Sequence, residues 1–393
     1  MAKRQRIYLD TAAATPMDKR VIKAMTPYFS RDFGNPGSLH LEGVIASKTL
    51  AFARDKIAKI LDTHSDEIIF TSGGTEGDNL AIIGVARGLL AHKKIASPGH
   101  IITTATEHRA VLEAGAVLER EGWAVTYAPV DEDGLLNLKA FKEALRPETV
   151  LVSVMYANNE IGTIQPIKEV AKILRHFRKE RGENRLPYLH TDACQAPRFL
   201  PLSVEKLGVD LLTLNGSKIY GPKGVGCLYI KRNTFLNPLL VGGGQELGRR
   251  SGTENVAGAV GLATALEIAD KEREKESAKL SVLRDYFIEK ILILPGTHLN
   301  GGQSERLPNN INITFDKVFG ELMVLRLDAK GIACSIGSAC SSHKKDDRHV
   351  IMALGKTANE ADNAVRFTLG RATTKKDLDF VIEAIKDILN KSK

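Results

Sequence analysis

What limits this chain most is the order of its apolar segments between residues 67 and 230. Short apolar runs at 67–70, 100–104, 124–129, 150–155 and 188–191 read as strands, and stretches with helical spacing at 79–90, 111–121, 138–145 and 167–179 lie between them. A strand followed by a helix and then another strand in the same sheet must cross over, so the strands run parallel and helices cover both faces. Two further runs, 210–214 and 225–230, flank a polar turn. The expected class is α/β with a mostly parallel seven-stranded sheet.

Outside this region the pattern changes. Residues 17–29 and 39–61 have helical spacing, the second stretch with Ser38 placed to cap it. A long amphipathic helix is expected over about 257–292, broken near Ser277. Strands at 309–315, 332–335 and 365–369 then mix with helices at 320–327, 349–354 and 376–389 without strict alternation, which suggests a smaller α+β unit. With 393 residues the chain can hold both. We place the large unit at 15–256 and the small one at 1–14 together with 257–393.

The net charge of +8 comes from lysines and arginines scattered among acids, so it describes a solvated surface and not a nucleic-acid stripe. The basic start is not followed by the apolar core of a signal peptide, and no apolar run is long enough to cross a bilayer. Four cysteines, Cys194, Cys227, Cys334 and Cys340, form no C-x-x-C pair and no metal-ligand spacing. Individual thiols in a reducing, cytoplasmic compartment are expected, with no bound metal.

Ligands on parallel sheets collect beyond the carboxyl ends of the strands. Polar clusters fall there: Ser72-Gly73-Gly74-Thr75, Thr106-Glu107-His108, Asn158-Asn159-Glu160, Asp192-Ala193-Cys194-Gln195 and Asn215-Gly216-Ser217-Lys218. A glycine turn before a helix offers backbone N–H groups and a favourable dipole to a phosphate. Lys218 lies between apolar runs, and a desolvated lysine loses its proton readily, as a Schiff base with an aldehyde requires. Each cluster also has plainer uses. His108 suits an ordinary loop, Asp192 a helix cap, and Asn159 and Gln195 turn hydrogen bonds. Cys340 sits in a polar stretch, 335–348, whose following cations favour thiolate, whereas Cys334 ends a strand and reads as packing.

Taken together, Ser217-Lys218 with Tyr220-Gly221-Pro222-Lys223-Gly224 and Ser338-Ala339-Cys340 resemble the cysteine desulfurases, pyridoxal phosphate enzymes of aminotransferase fold type I. The family's usual Ser-Gly-His-Lys is here Asn-Gly-Ser-Lys. The resemblance implies that Lys218 carries the cofactor and moves the α-proton, and that His108 stacks on its ring. It places Asp192 on the pyridine nitrogen and Asn159 and Gln195 on the phenolic oxygen. Gly74, Thr75, Asn215 and Ser217 would hold the cofactor, with Thr253 reaching its phosphate from the neighbouring subunit of a homodimer. Arg366 would bind the substrate α-carboxylate, a task that suits a two-pronged guanidinium, with Asn35 and Asn159 beside it. Cys340 would take sulfur from L-cysteine as a persulfide, leaving L-alanine, and pass it to an acceptor such as an iron–sulfur scaffold or a tRNA-thiolation carrier. A selenocysteine lyase would share nearly every residue, another fold type I enzyme would need no Cys340, and a nucleic-acid protein would leave Lys218, Asp192 and His108 without a purpose.

Overall fold

The computed structural model describes residues 6–182, 185–337 and 348–391. Its strands, in chain order, are β1 (Ile7–Tyr8), β2 (Ile68–Thr71), β3 (His100–Thr104), β4 (Ala124–Ala128), β5 (Thr149–Ser153), β6 (Tyr188–Asp192), β7 (Leu211–Asn215), β8 (Gly226–Ile230), β9 (Thr297–Leu299), β10 (Asn310–Phe315), β11 (Ile332–Ala333) and β12 (Ala364–Thr368). Seven of them form one sheet in the order β2-β8-β7-β6-β5-β3-β4. The strands β3 to β7 are mutually parallel, as the alternation requires, and β8 runs against both β7 and β2. The reversal follows from the short connection between β7 and β8, which contains no crossover helix.

Apolar side chains fill both faces of the sheet. One face packs Ile68, Phe70, Val152, Leu189, Leu212 and Leu214 against helix Leu41–Leu61, and the other packs Ile69, Ile101, Leu151 and Leu211 against the helical stretch from Leu80 to Leu89. A separate core surrounds the antiparallel β12-β10-β9 sheet and the parallel pair β1-β11.

Three local expectations are corrected. Helix Leu41–Leu61 is capped by His40, whose Nδ1 accepts from Gly43 N, and not by Ser38. The helical stretch after β2 begins at Gly74, ahead of its apolar periodicity, because Gly73 takes a φ of 152° that turns the chain sharply out of the strand. The helix Val256–Leu292 is continuous past Ser277. What looked like a break is the point where the apolar stripe passes from Leu262 and Leu266 in the first core to Leu280 and Phe287 in the second, with buried Glu276 between them. One helix thus runs through both cores.

Candidate active site

A cavity opens at the carboxyl ends of the parallel strands, lined by Gly74, Thr75, His108, Asn159, Asp192, Gln195, Asn215, Lys218 and Arg366. They arrive from six separate places in the chain. Asp192 ends β6 and Asn215 ends β7, while His108 caps the helix that follows β3. Arg366 comes from β12 of the second core. Asn35 and Thr253 lie outside this cavity in the single chain: Asn35 Oδ1 accepts from Gly37 N at 2.9 Å, and Thr253 borders a separate cavity beside Glu246 and Arg250. Ser217 is also set back from the lining, its hydroxyl donating to Asn215 Oδ1 at 3.2 Å. Cys340 lies outside the described residues.

The lysine turn is held from several sides. Asn215 Oδ1 accepts from Ser217 N at 3.1 Å and so caps the turn Gly216–Lys218. Two residues after the lysine, Tyr220 adopts a left-handed φ of 59°. Its N–H donates to Thr15 Oγ1 at 2.7 Å, and its hydroxyl accepts from Arg371 N at 2.9 Å. The guanidinium groups of Arg198 and Arg371 both lie against the ring, 4.7 and 4.3 Å from its centre. Glu276 joins those two cations, accepting from Arg198 Nε at 2.9 Å and Arg371 Nε at 2.7 Å. A buried carboxylate shared by two guanidinium groups therefore fixes the backbone that presents Lys218.

Sequence reasoning missed the segment from Asp10 to Thr15. Its residues are too small and polar to stand out, because its contribution comes from main-chain carbonyls. Ala13 O accepts from Lys218 Nζ, and Ala12 O accepts from Gln195 Nε2 at 3.1 Å. Ala12 and Ala13 also line the cavity.

Beneath the cavity lies a cluster of buried acids. Asp192 Oδ1 accepts from Cys194 N at 2.8 Å. Beside it, Asp78 is pushed well above the usual carboxylate range by burial and then by the charge of Asp192. Burial lowers His190 to about 4, so the imidazole next to Asp78 stays neutral and bonds Ser153 Oγ and Thr213 Oγ1 instead. His108 Nδ1 accepts from Ala110 N at 3.1 Å, which puts the proton of its neutral ring on Nε2. Burial raises all three described thiols: Cys194 well above its ordinary value, Cys227 to about 12, and Cys334 likewise upward. None of them is set up as a thiolate nucleophile.

The family model for aminotransferase class V matches residues 7–381. The chain belongs to the class-V aminotransferases. Within that family it is 46% identical over 389 residues to a cysteine desulfurase IscS of Dictyoglomus turgidum, covering 99% of this chain and 95% of that one. An IscS of Methanosarcina thermophila is 46% identical over 98% of this chain and 92% of its own. Among solved structures, a NifS-like protein superposes with a TM-score of 0.90 at 36% identity, covering 98% of this chain and all of that one. The structure titled SspA in complex with cysteine follows at 0.79 and 35%, covering 92% and 98%. The chain thus has the IscS/NifS-like fold of type I pyridoxal phosphate enzymes, as the alternation and the lysine turn led us to expect.

The residues present fit that cofactor. Asp192 could offer a carboxylate to a protonated ring nitrogen, Lys218 an amine to the aldehyde, and the helix N-terminus at Gly74 its first N–H groups to the phosphate. Two buried polar atoms, Asp78 Oδ1 and Arg366 Nε, have no hydrogen-bond partner among the described residues, and both residues line the cavity. Gly74 is the close point of the cradle: a Cβ there would stand 2.7 Å from Cys194 Sγ.

Proposed function

We propose that the chain is a pyridoxal-phosphate-dependent cysteine desulfurase that converts L-cysteine to L-alanine and holds the released sulfur as a persulfide on Cys340. The observation that carries this reading is the meeting of Lys218, Asp192 and Arg366 in one cavity, from three connections far apart in the chain. When bound, the cofactor supplies an electron sink that acidifies the substrate α-proton. Asp192 keeps the ring nitrogen charged, and Lys218 Nζ takes and returns the proton. Arg366 orients the substrate by its α-carboxylate, and His108 presents Nε2–H to the cavity. Attack by the Cys340 thiolate on the substrate sulfur breaks the C–S bond, the electron pair leaving with the carbon skeleton. Elimination supports the choice of thiol: Cys227 and Cys334 are buried away from the cavity, and Cys194, which lines it, is kept from ionising by burial and by the charge of Asp192.

The reading extends to a homodimer in which Thr253 completes the neighbour's phosphate site, and to units divided at about residues 15 and 256. It also extends to a cytoplasmic enzyme that hands sulfur to an acceptor protein. No described helix is long and apolar enough to cross a membrane. The test is the visible spectrum and alanine release of purified variants. Cys340→Ser should bind the cofactor and show a spectral change with L-cysteine, yet release no alanine, while Lys218→Ala should lose the Schiff-base band. Alanine release by Cys340→Ser at the parental rate would overturn the assignment.

A further inference from the structure

Arg366 is 1% exposed, yet it lines the cavity, so its guanidinium can meet a ligand only in the orientation that the protein imposes. Two groups impose it. Arg366 Nη1 donates to Asn159 O at 3.0 Å, and Nη2 donates to Asp10 Oδ1 at 2.9 Å. These bonds occupy one N–H on each terminal nitrogen, leaving the others and the unpartnered Nε–H. The second oxygen of Asp10 is occupied as well: Ser335 Oγ donates to Oδ2 at 2.9 Å. Ser335 is itself clamped to Arg366 through the backbone, with Arg366 N to Ser335 O at 2.7 Å and Ser335 N to Arg366 O at 3.2 Å. Asp10 in turn is bridged to Thr368 on the same strand as Arg366. The carboxylate is therefore held at both oxygens and by its own main chain.

We propose that Asp10 is a positioning residue for the substrate α-carboxylate: it fixes the plane of the Arg366 guanidinium so that the free N–H groups face the cavity as a preformed fork. A carboxylate is recognised best by two parallel N–H bonds, and that geometry is lost if the fork rotates. Asn159 O alone leaves rotation about the Nη1 contact open, and the Asp10 bond closes it. Asp10 touches neither substrate nor cofactor in this role. The inference rests on the reading of Arg366 as the carboxylate site.

The test uses the holoenzyme and two ligands that differ only by the carboxylate, L-alanine and ethylamine, each titrated against the visible band of the bound cofactor. The parent should prefer L-alanine. Asp10→Ala should lose about ten-fold or more of the affinity for L-alanine, the scale of one charge-assisted bond, while ethylamine binds as in the parent. Asp10→Asn, whose side-chain oxygen can still accept from Nη2, should recover most of the loss. Asp10→Glu keeps the charge but displaces the acceptor by one methylene, and it must show the same selective loss, so the proposal does not depend on recovery of the alanine variant. Parental L-alanine binding by Asp10→Ala or Asp10→Glu overturns the proposal, and so does an equal weakening of both ligands, which marks a general structural role. A parent enzyme that does not distinguish L-alanine from ethylamine removes the carboxylate role of Arg366 itself, and the proposal with it.

Discussion

Glu107 shows how burial, with a smaller push from the charge of Asp192, can set a charge state one residue away from the cavity-lining His108. The side chain is fully buried, and desolvation raises its carboxyl to about 8 although Met155 N and Thr104 Oγ1 both donate to Oε1 at 2.8 Å. The folded chain therefore keeps a proton that the unfolded chain releases near pH 4. Its contribution to stability is complete below that pH and is lost as pH rises through about 8. Glu107→Gln copies the protonated form, with an acceptor at Oε1 and hydrogens at the other position. It should melt with the parent at pH 4 but be more stable at pH 9, by about 1 to 4 kcal/mol given a shift of this size. Thermal unfolding across that range is the measurement, and parallel curves for the two proteins would show that Glu107 is ionised in the fold.

Among the elements, the turn from β2 into its helix carries the tightest steric demand. Gly74 leaves no room for a methyl group against Cys194 Sγ, the thiol that follows β6, so this contact sets the separation of β2 and β6 connections at the cofactor end. Gly74→Ala should destabilise the protein by about 1 to 3 kcal/mol, the usual cost of overpacking, and weaken cofactor retention. Adding Cys194→Ala should recover most of both losses. Additive effects in a double-mutant cycle would break the argument. Little of this contact could be read from the chain. The alternation of strands and helices was legible because it follows from a regular period, and the polar clusters followed from where such sheets bind ligands. Lys218, Asp192, His108 and Arg366 stand out by residue type. Asp78, Gly74 against Cys194, and the carbonyls of Ala12 and Ala13 do not, because their roles depend on tertiary neighbours that no local pattern encodes. Buried Glu276 belongs with them, since a charge inside an apolar stripe has no evident purpose until its two arginine partners are known.

At the scale of the whole molecule, the surface carries apolar groups that a single chain leaves in water. Leu39 is 97% exposed, Val241 81%, and Phe29, Phe33 and Leu41 69% each. These five fall in two stretches, 29–41 and the glycine-rich 240–253, while others such as Val282 and Ile293 are scattered, and the second stretch contains Thr253, exposed and away from the cavity of its own chain. Exposed apolar groups of this kind are what an interface would cover, and two-fold assemblies are the commonest closed solution. A second copy would shield these side chains at about 25 cal/mol per Å² of apolar surface removed from water. It would also bring Thr253 to a phosphate. The parent should therefore sediment as a dimer. Leu39→Asp combined with Phe33→Asp should shift it toward monomer, and because the site would then lack its Thr253 contact, cofactor retention should fall in step with dissociation. Thr253→Ala should weaken retention while leaving the dimer intact. A parent monomer that holds its cofactor fully would end this account of Thr253.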